Sequence, residues 1–116
     1  MTRLISNQAA VAFLRGKKFK QSNTEVKVYT DTISLCLHGY VIARKYIADT
    51  SKVFINFKGW KTRTTVDRLE ALTGLKFSIA KQDLCYFRNG EKVYIDSQTW
   101  YEVKHKGEET WLELSK

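Results

Sequence analysis

Few side chains in this sequence are suited to chemistry, and their spacing favours binding over catalysis. His38 stands beside Gly39 at a strand end, and His105 lies between Lys104 and Lys106. Both read as turn or surface residues rather than general bases. Cys36 and Cys85 have 48 residues between them. With two scattered histidines they lack the close ligand spacing of a zinc site. Each alternates within a strand-like run, as an ordinary reduced thiol does. The paired carboxylates Glu108-Glu109 fall in a polar, solvated stretch. No nucleophile elbow, phosphate-cradling glycine loop or metal-binding helix motif occurs. The expectation is a protein that is not an enzyme, with no catalytic residue, metal or cofactor.

What the chain has in quantity is cations beside aromatics. Twenty Lys and Arg face 12 Asp and Glu, a net charge of +8, and 43% of residues are hydrophobic, enough to form a core despite the charge. The charge is uneven. Residues 1–68 hold 13 basic and 4 acidic side chains, a net +9, and residues 69–116 hold 7 and 8, a net −1. Two clusters carry the excess: Arg15, Lys17, Lys18 and Lys20, then Lys58, Lys61, Arg63 and Arg68. Such clusters draw polyanions by steering and counterion release. A field of this sign excludes a mimic of DNA. Aromatics alternate with cations in Lys18-Phe19-Lys20, Lys45-Tyr46, Phe57-Lys58-Gly59-Trp60-Lys61 and Tyr86-Phe87-Arg88. That interleaving suits base stacking beside a phosphate-tracking groove. The candidate nucleic-acid contacts are therefore Lys17, Lys18, Lys20, Lys58, Lys61, Arg63 and Arg68, with Tyr46 and Trp60 as stacking surfaces. The plainer reading is that the charge keeps a small protein soluble while the aromatics form a sheet core.

At 116 residues there is room for one domain and one modest core. No apolar run is long enough to span a bilayer or to act as a signal peptide, so the expected setting is the cytoplasm, with no membrane. Ser6 is placed to cap a helix over Asn7 to about Lys18, with Ala9, Ala10, Phe13 and Leu14 as its apolar stripe and the lysines in its last turn. Period-two alternation then predicts a meander: a strand around Val26 and Val28, one through Ile33, Leu35 and Leu37, Tyr40 to Tyr46, and Lys52 to Phe57. Thr30-Asp31 and His38-Gly39 are its turns. Thr64 or Thr65 is expected to cap a second helix with Val66, Leu69 and Leu72 as its stripe and Gly74 at its end. Lys61, Arg63 and three threonine hydroxyls around that helix start would suit a phosphate. Leu75 to Ala80 reads as a strand, Asn89-Gly90 as a hairpin turn between Leu84–Arg88 and Glu91–Ile95, and Thr99–Val103 with Thr110–Leu114 as a last pair. The class is α+β: a short N-terminal helix, an antiparallel β-meander, a central helix and C-terminal β-hairpins.

Within this order lie Asn23-Thr24-x-Val26, Leu37-His38-Gly39-x-x-Ile42-Ala43 and Gly59-Trp60-x-Thr62-x-Thr64-Thr65-x-x-Arg68-Leu69-x-Ala71-Leu72, then Tyr86-Phe87-x-Asn89-Gly90. The set resembles a group of small tailed-bacteriophage proteins, mostly without an assigned activity, that share NTxV, LHGxxIA and GWxTxTTxxRLxAL in this order. The resemblance covers about residues 23–92. It divides the single domain 1–116 into an N-terminal helical extension (1–22), a phage-like core (23–96) and C-terminal strands (97–116). Members of the group often carry a small polar residue before Ala71; Glu70 stands there, at an expected exposed helix position. The resemblance implies phage origin rather than a reaction. Taken with the charge and the interleaved aromatics, the expectation is a small accessory protein that binds nucleic acid or a host nucleoprotein complex in the host cytoplasm. The short length, the lack of catalytic motifs and the phage resemblance agree with a counter-defence inhibitor such as an anti-CRISPR protein. The alternative is an assembly module that pairs a partner through an exposed strand or the Asn89-Gly90 hairpin.

Overall fold

The alternation of apolar and polar residues translates into strands along most of the chain. A computed structural model describes residues 2–115. Helix α1 (Thr2–Arg15) is followed by β1 (Phe19–Gln21), β2 (Thr24–Val28), β3 (Thr32–Leu37), β4 (Tyr40–Tyr46) and β5 (Asp49–Ile55). After helix α2 (Arg63–Thr73) come β6 (Phe77–Ala80), β7 (Asp83–Arg88), β8 (Glu91–Ile95), β9 (Tyr101–Lys106) and β10 (Glu109–Leu114). The fold is α+β, as the sequence predicts.

The strands form two antiparallel sheets: a seven-stranded one in the order β1-β2-β3-β4-β5-β9-β10, and a three-stranded one in the order β6-β7-β8. The C-terminal pair is thus no separate hairpin. It extends the meander by pairing β9 with β5, Val53 opposite Val103 and Ile55 opposite Tyr101. Tight turns set the registers. His38-Gly39 and Asn89-Gly90 each place two successive residues at positive φ, the conformation that matches the twist of hairpin strands.

One face of the large sheet is buried. Val26, Ile33, Leu35, Leu37, Ile42, Ala43, Ile55, Val103 and Leu112 pack there with Ala9, Ala10 and Phe13 of α1 and Val66, Leu69 and Leu72 of α2. Phe77, Leu84 and Tyr86 of the small sheet join the same core. The Tyr86 hydroxyl accepts from the Leu112 N–H at 3.1 Å, satisfying an amide of edge strand β10.

Several local expectations change. Helix α1 begins before Ser6 and ends at Arg15, where Gly16 at φ 70° closes it with the Lys17 N–H on the Ala12 carbonyl at 2.8 Å. Ser6 is therefore a buried helix residue rather than a cap, and Leu14 is exposed. Lys17 and Lys18 lie beyond the last turn and Lys20 lies in β1. The cation that meets the helix end is Lys45, buried on the core face, whose Nζ donates to the Leu14 carbonyl at 2.7 Å. The cap of α2 is Thr62 rather than Thr64 or Thr65; its Oγ1 accepts from the Thr65 N–H at 3.3 Å. Gly74, at φ 77°, ends the helix as expected. Because α2 is enclosed by α1 and the small sheet, Glu70 is buried rather than exposed. Its Oε2 accepts from the Phe77 N–H at 3.0 Å and so positions β6.

Candidate nucleic-acid interface

The other face of the large sheet is built from the alternate residues of the same strands. Pairing registers align Lys27, Ser34, Arg44, Phe54, Glu102 and Glu113 in one row across β2, β3, β4, β5, β9 and β10. Neighbouring strands lie about 4.8 Å apart, so the row is continuous at side-chain scale. It changes sign along its length: Lys27 and Arg44 on the meander side, Glu102 and Glu113 on the far side. Glu102 is paired with Lys104 at 3.3 Å.

At the centre of this face cations and aromatics meet. The Arg44 guanidinium lies 4.6 Å from the Trp100 ring centroid, and the Lys58 Nζ lies 5.1 Å from it. Tyr46 meets Phe54 edge to face at 6.0 Å. Together Arg44, Tyr46, Phe54, Trp100 and Ser115 line a recess of about 310 Å³. Among the described residues, no ion pair involves Arg44 or Lys58. Lys58 reaches Trp100 from a strained position, at φ 56° in the left-handed region. The Asn56 Oδ1 holds it by accepting the Lys58 N–H at 2.7 Å. The Gly59 N–H on the Ser97 carbonyl, at 2.8 Å, ties this turn to the segment that carries Trp100.

The residues singled out from sequence separate into three places. Tyr46 and Lys58 belong to the cluster just described. Lys18 and Lys20 lie at the β1 edge beside Lys27, lining a groove with Phe19, Glu25, Val28 and Tyr29. Lys17 is exposed next to it and lines a shallower groove against α1. Trp60, Lys61, Arg63 and Arg68 lie elsewhere, around the start of α2. Trp60 is 43% exposed and contacts Tyr40 at 5.7 Å and His38 at 6.4 Å. Tyr40 and Tyr46 are the two ends of β4, about 20 Å apart at strand rise, so Trp60 and Tyr46 do not share one stacking surface. Lys61 donates to the Gln82 carbonyl at 2.6 Å, bridging α2 to the small sheet. Arg63 is the exposed cation of this group and pairs with Asp67 at 3.3 Å.

Arg68 is corrected outright as a surface contact: it is only 2% exposed. Its Nε donates to Thr24 Oγ1 at 2.8 Å, one terminal nitrogen to Ser6 Oγ at 2.6 Å and the other to Asn23 Oδ1 at 3.4 Å. Burial lowers its pKa, opposed by the neighbouring Asp67 charge. The same Asn23 accepts the His38 N–H through its carbonyl at 2.8 Å, and its side-chain amide meets the His38 ring at 3.3 Å. Three of the sequence motifs thus converge on one polar node that ties α1, α2, β2 and the β3–β4 turn together.

Sequence reasoning missed Trp100, Arg44 and Phe54. Arg44 and Phe54 were readable by period two, because they alternate with core residues on strands that were recognised. Trp100 was not, because only the β5–β9 pairing brings it to them.

Among the described residues no helix is long and apolar enough to cross a membrane. The family model of the Kyanoviridae Gp96 protein matches residues 2–111, reaching beyond the 23–92 resemblance to include α1 and most of the C-terminal strands. No curated protein and no solved structure matches the chain.

Proposed function

The chain belongs to the Kyanoviridae Gp96 protein family, a family of bacteriophage proteins, and we propose that it acts there as a binding protein rather than an enzyme. Its proposed ligand is nucleic acid, free in the host cytoplasm or held in a host nucleoprotein machine of defence or transcription. The observation that carries this reading is the convergence of Arg44 and Lys58 on Trp100 on the face of the large sheet away from the helices. Two cations outside the described ion pairs supply phosphate contacts, and the aromatics between them supply the π surface that such ligands use. Lys18, Lys20 and Lys27 extend the positive side of the face toward β1.

Titration of fluorescently labelled 20-nucleotide RNA and DNA with the whole protein tests this. Affinity falls steeply between about 50 and 200 mM salt when several phosphates are contacted. Absence of binding at the lower salt overturns the reading.

A second reading rests on β8, the outer strand of the small sheet, where Glu91, Lys92 and Tyr94 are exposed. Its unpaired edge suits β-strand addition by a protein partner. Recovery of partners from host lysate with and without nuclease separates the two: partners lost on nuclease treatment belong to the first, and partners retained belong to the second.

A further inference from the structure

Resting on the nucleic-acid reading, we infer that the outer face takes single strands, and that the recess lined by Arg44, Tyr46, Phe54, Trp100 and Ser115 receives one unpaired base. Its volume of about 310 Å³ lies at the small end of ligand sites, room for one heterocycle and its sugar. Its walls are the groups on which bases stack: two aromatic rings in edge contact, an indole, and a guanidinium plane already lying over that indole.

A duplex cannot use this arrangement. Its bases are stacked on one another, their faces closed, and it offers a protein only groove edges and phosphates. The aromatics here stand on a sheet face rather than on a projecting helix or ribbon that could enter a groove. An unpaired base, by contrast, lies flat against such a surface while its phosphates follow the neighbouring cations. Lys58 stands on one side of the recess, and Lys27 lies two strands from Arg44 in the same cross-strand row. The row also says where the strand stops. Beyond Phe54 it continues into Glu102, which already holds Lys104, and Glu113, so the row itself offers phosphates no further cation. The strand therefore runs over β1 to β5 and leaves the face before β9 and β10.

Tyr46 is the side chain on which to test this, because it is 41% exposed at a strand end and its loss leaves the core untouched. The test is competition at low salt between a labelled single strand of 12 nucleotides and a hairpin duplex of equal phosphate number, for the wild-type chain, Tyr46→Ala and Tyr46→Phe. Circular dichroism and thermal melting check that the variants are folded. The inference expects the single strand to win for the wild type. Tyr46→Ala should weaken single-strand binding roughly five- to a hundred-fold, the loss of one stacked base, and leave duplex binding unchanged. Tyr46→Phe keeps the ring and should restore affinity. Equal affinity for both forms, or a duplex preference, overturns the single-strand inference while leaving nucleic-acid binding in place; so does an Ala variant indistinguishable from wild type. Absence of binding to either form overturns the underlying reading, and the inference falls with it.

Discussion

Replacing Arg68 by alanine removes three donors at once, from the buried Ser6 and Thr24 hydroxyls and from the half-buried Asn23 side chain. Leaving the two buried hydroxyls without this donor, and the neighbouring Asp67 without this cation, costs about 3–5 kcal/mol. Urea denaturation of Arg68→Ala should show a loss of that size, and Arg68→Lys should recover little of it, because an ammonium cannot reach three separated acceptors. Lys45 makes the second prediction at this scale. Burial lowers its pKa, so the unfolded chain holds the proton more tightly than the folded one. Between the lowered folded value and the usual 10.5, the unfolded state binds more protons, and stability from this group rises with pH. Relative to Lys45→Met, the wild type should therefore gain stability as the pH is raised from neutrality toward 10.5. A gap that stays constant across that range contradicts the assignment.

Among the elements, the strands were the most legible in the sequence, because a sheet with one buried face writes its period directly into the chain. The range Tyr40–Tyr46 and the Asn89-Gly90 hairpin are found where alternation and turn chemistry put them. The helix starts were not. Several threonines surround the start of α2, and the choice of Thr62 among them follows from how the helix seats against α1 and the small sheet, which no local pattern contains. Ser6 looked like a cap because a small hydroxyl residue precedes an apolar stripe; its real partner is Arg68, remote in sequence. Two stability measurements belong here. Thr62→Ala should cost about 1 kcal/mol, the loss of an N-cap. Phe13→Ala, at a fully buried position joining α1 to the sheet, should cost about 3–5 kcal/mol by thermal or urea unfolding. Little effect at Phe13 would mean that α1 is not part of the cooperative core.

At the scale of the whole molecule, the +9 first part of the sequence becomes a spatial asymmetry. Its charges divide among the open sheet face, the β1 edge, the start of α2 and two interior positions, Lys45 and Arg68. The first two form the candidate surface, while at the start of α2 Lys61 is held by the Gln82 carbonyl and Arg63 by Asp67, so the number of basic residues overstates the candidate interface. Tyr46 and Lys58 were legible as interleaved residues; their meeting with Trp100 depends on β9 joining the sheet beside β5. The most direct measurement of the central claim is the salt dependence of single-strand affinity for the wild type and for Arg44→Ala with Lys58→Ala. If both cations neutralise phosphates, the slope of log affinity against log salt should shrink by about 1.4 in the double variant, roughly 0.7 for each phosphate left without its cation, with the fold unchanged. An identical slope in a folded variant contradicts the claim that this face is the nucleic-acid interface.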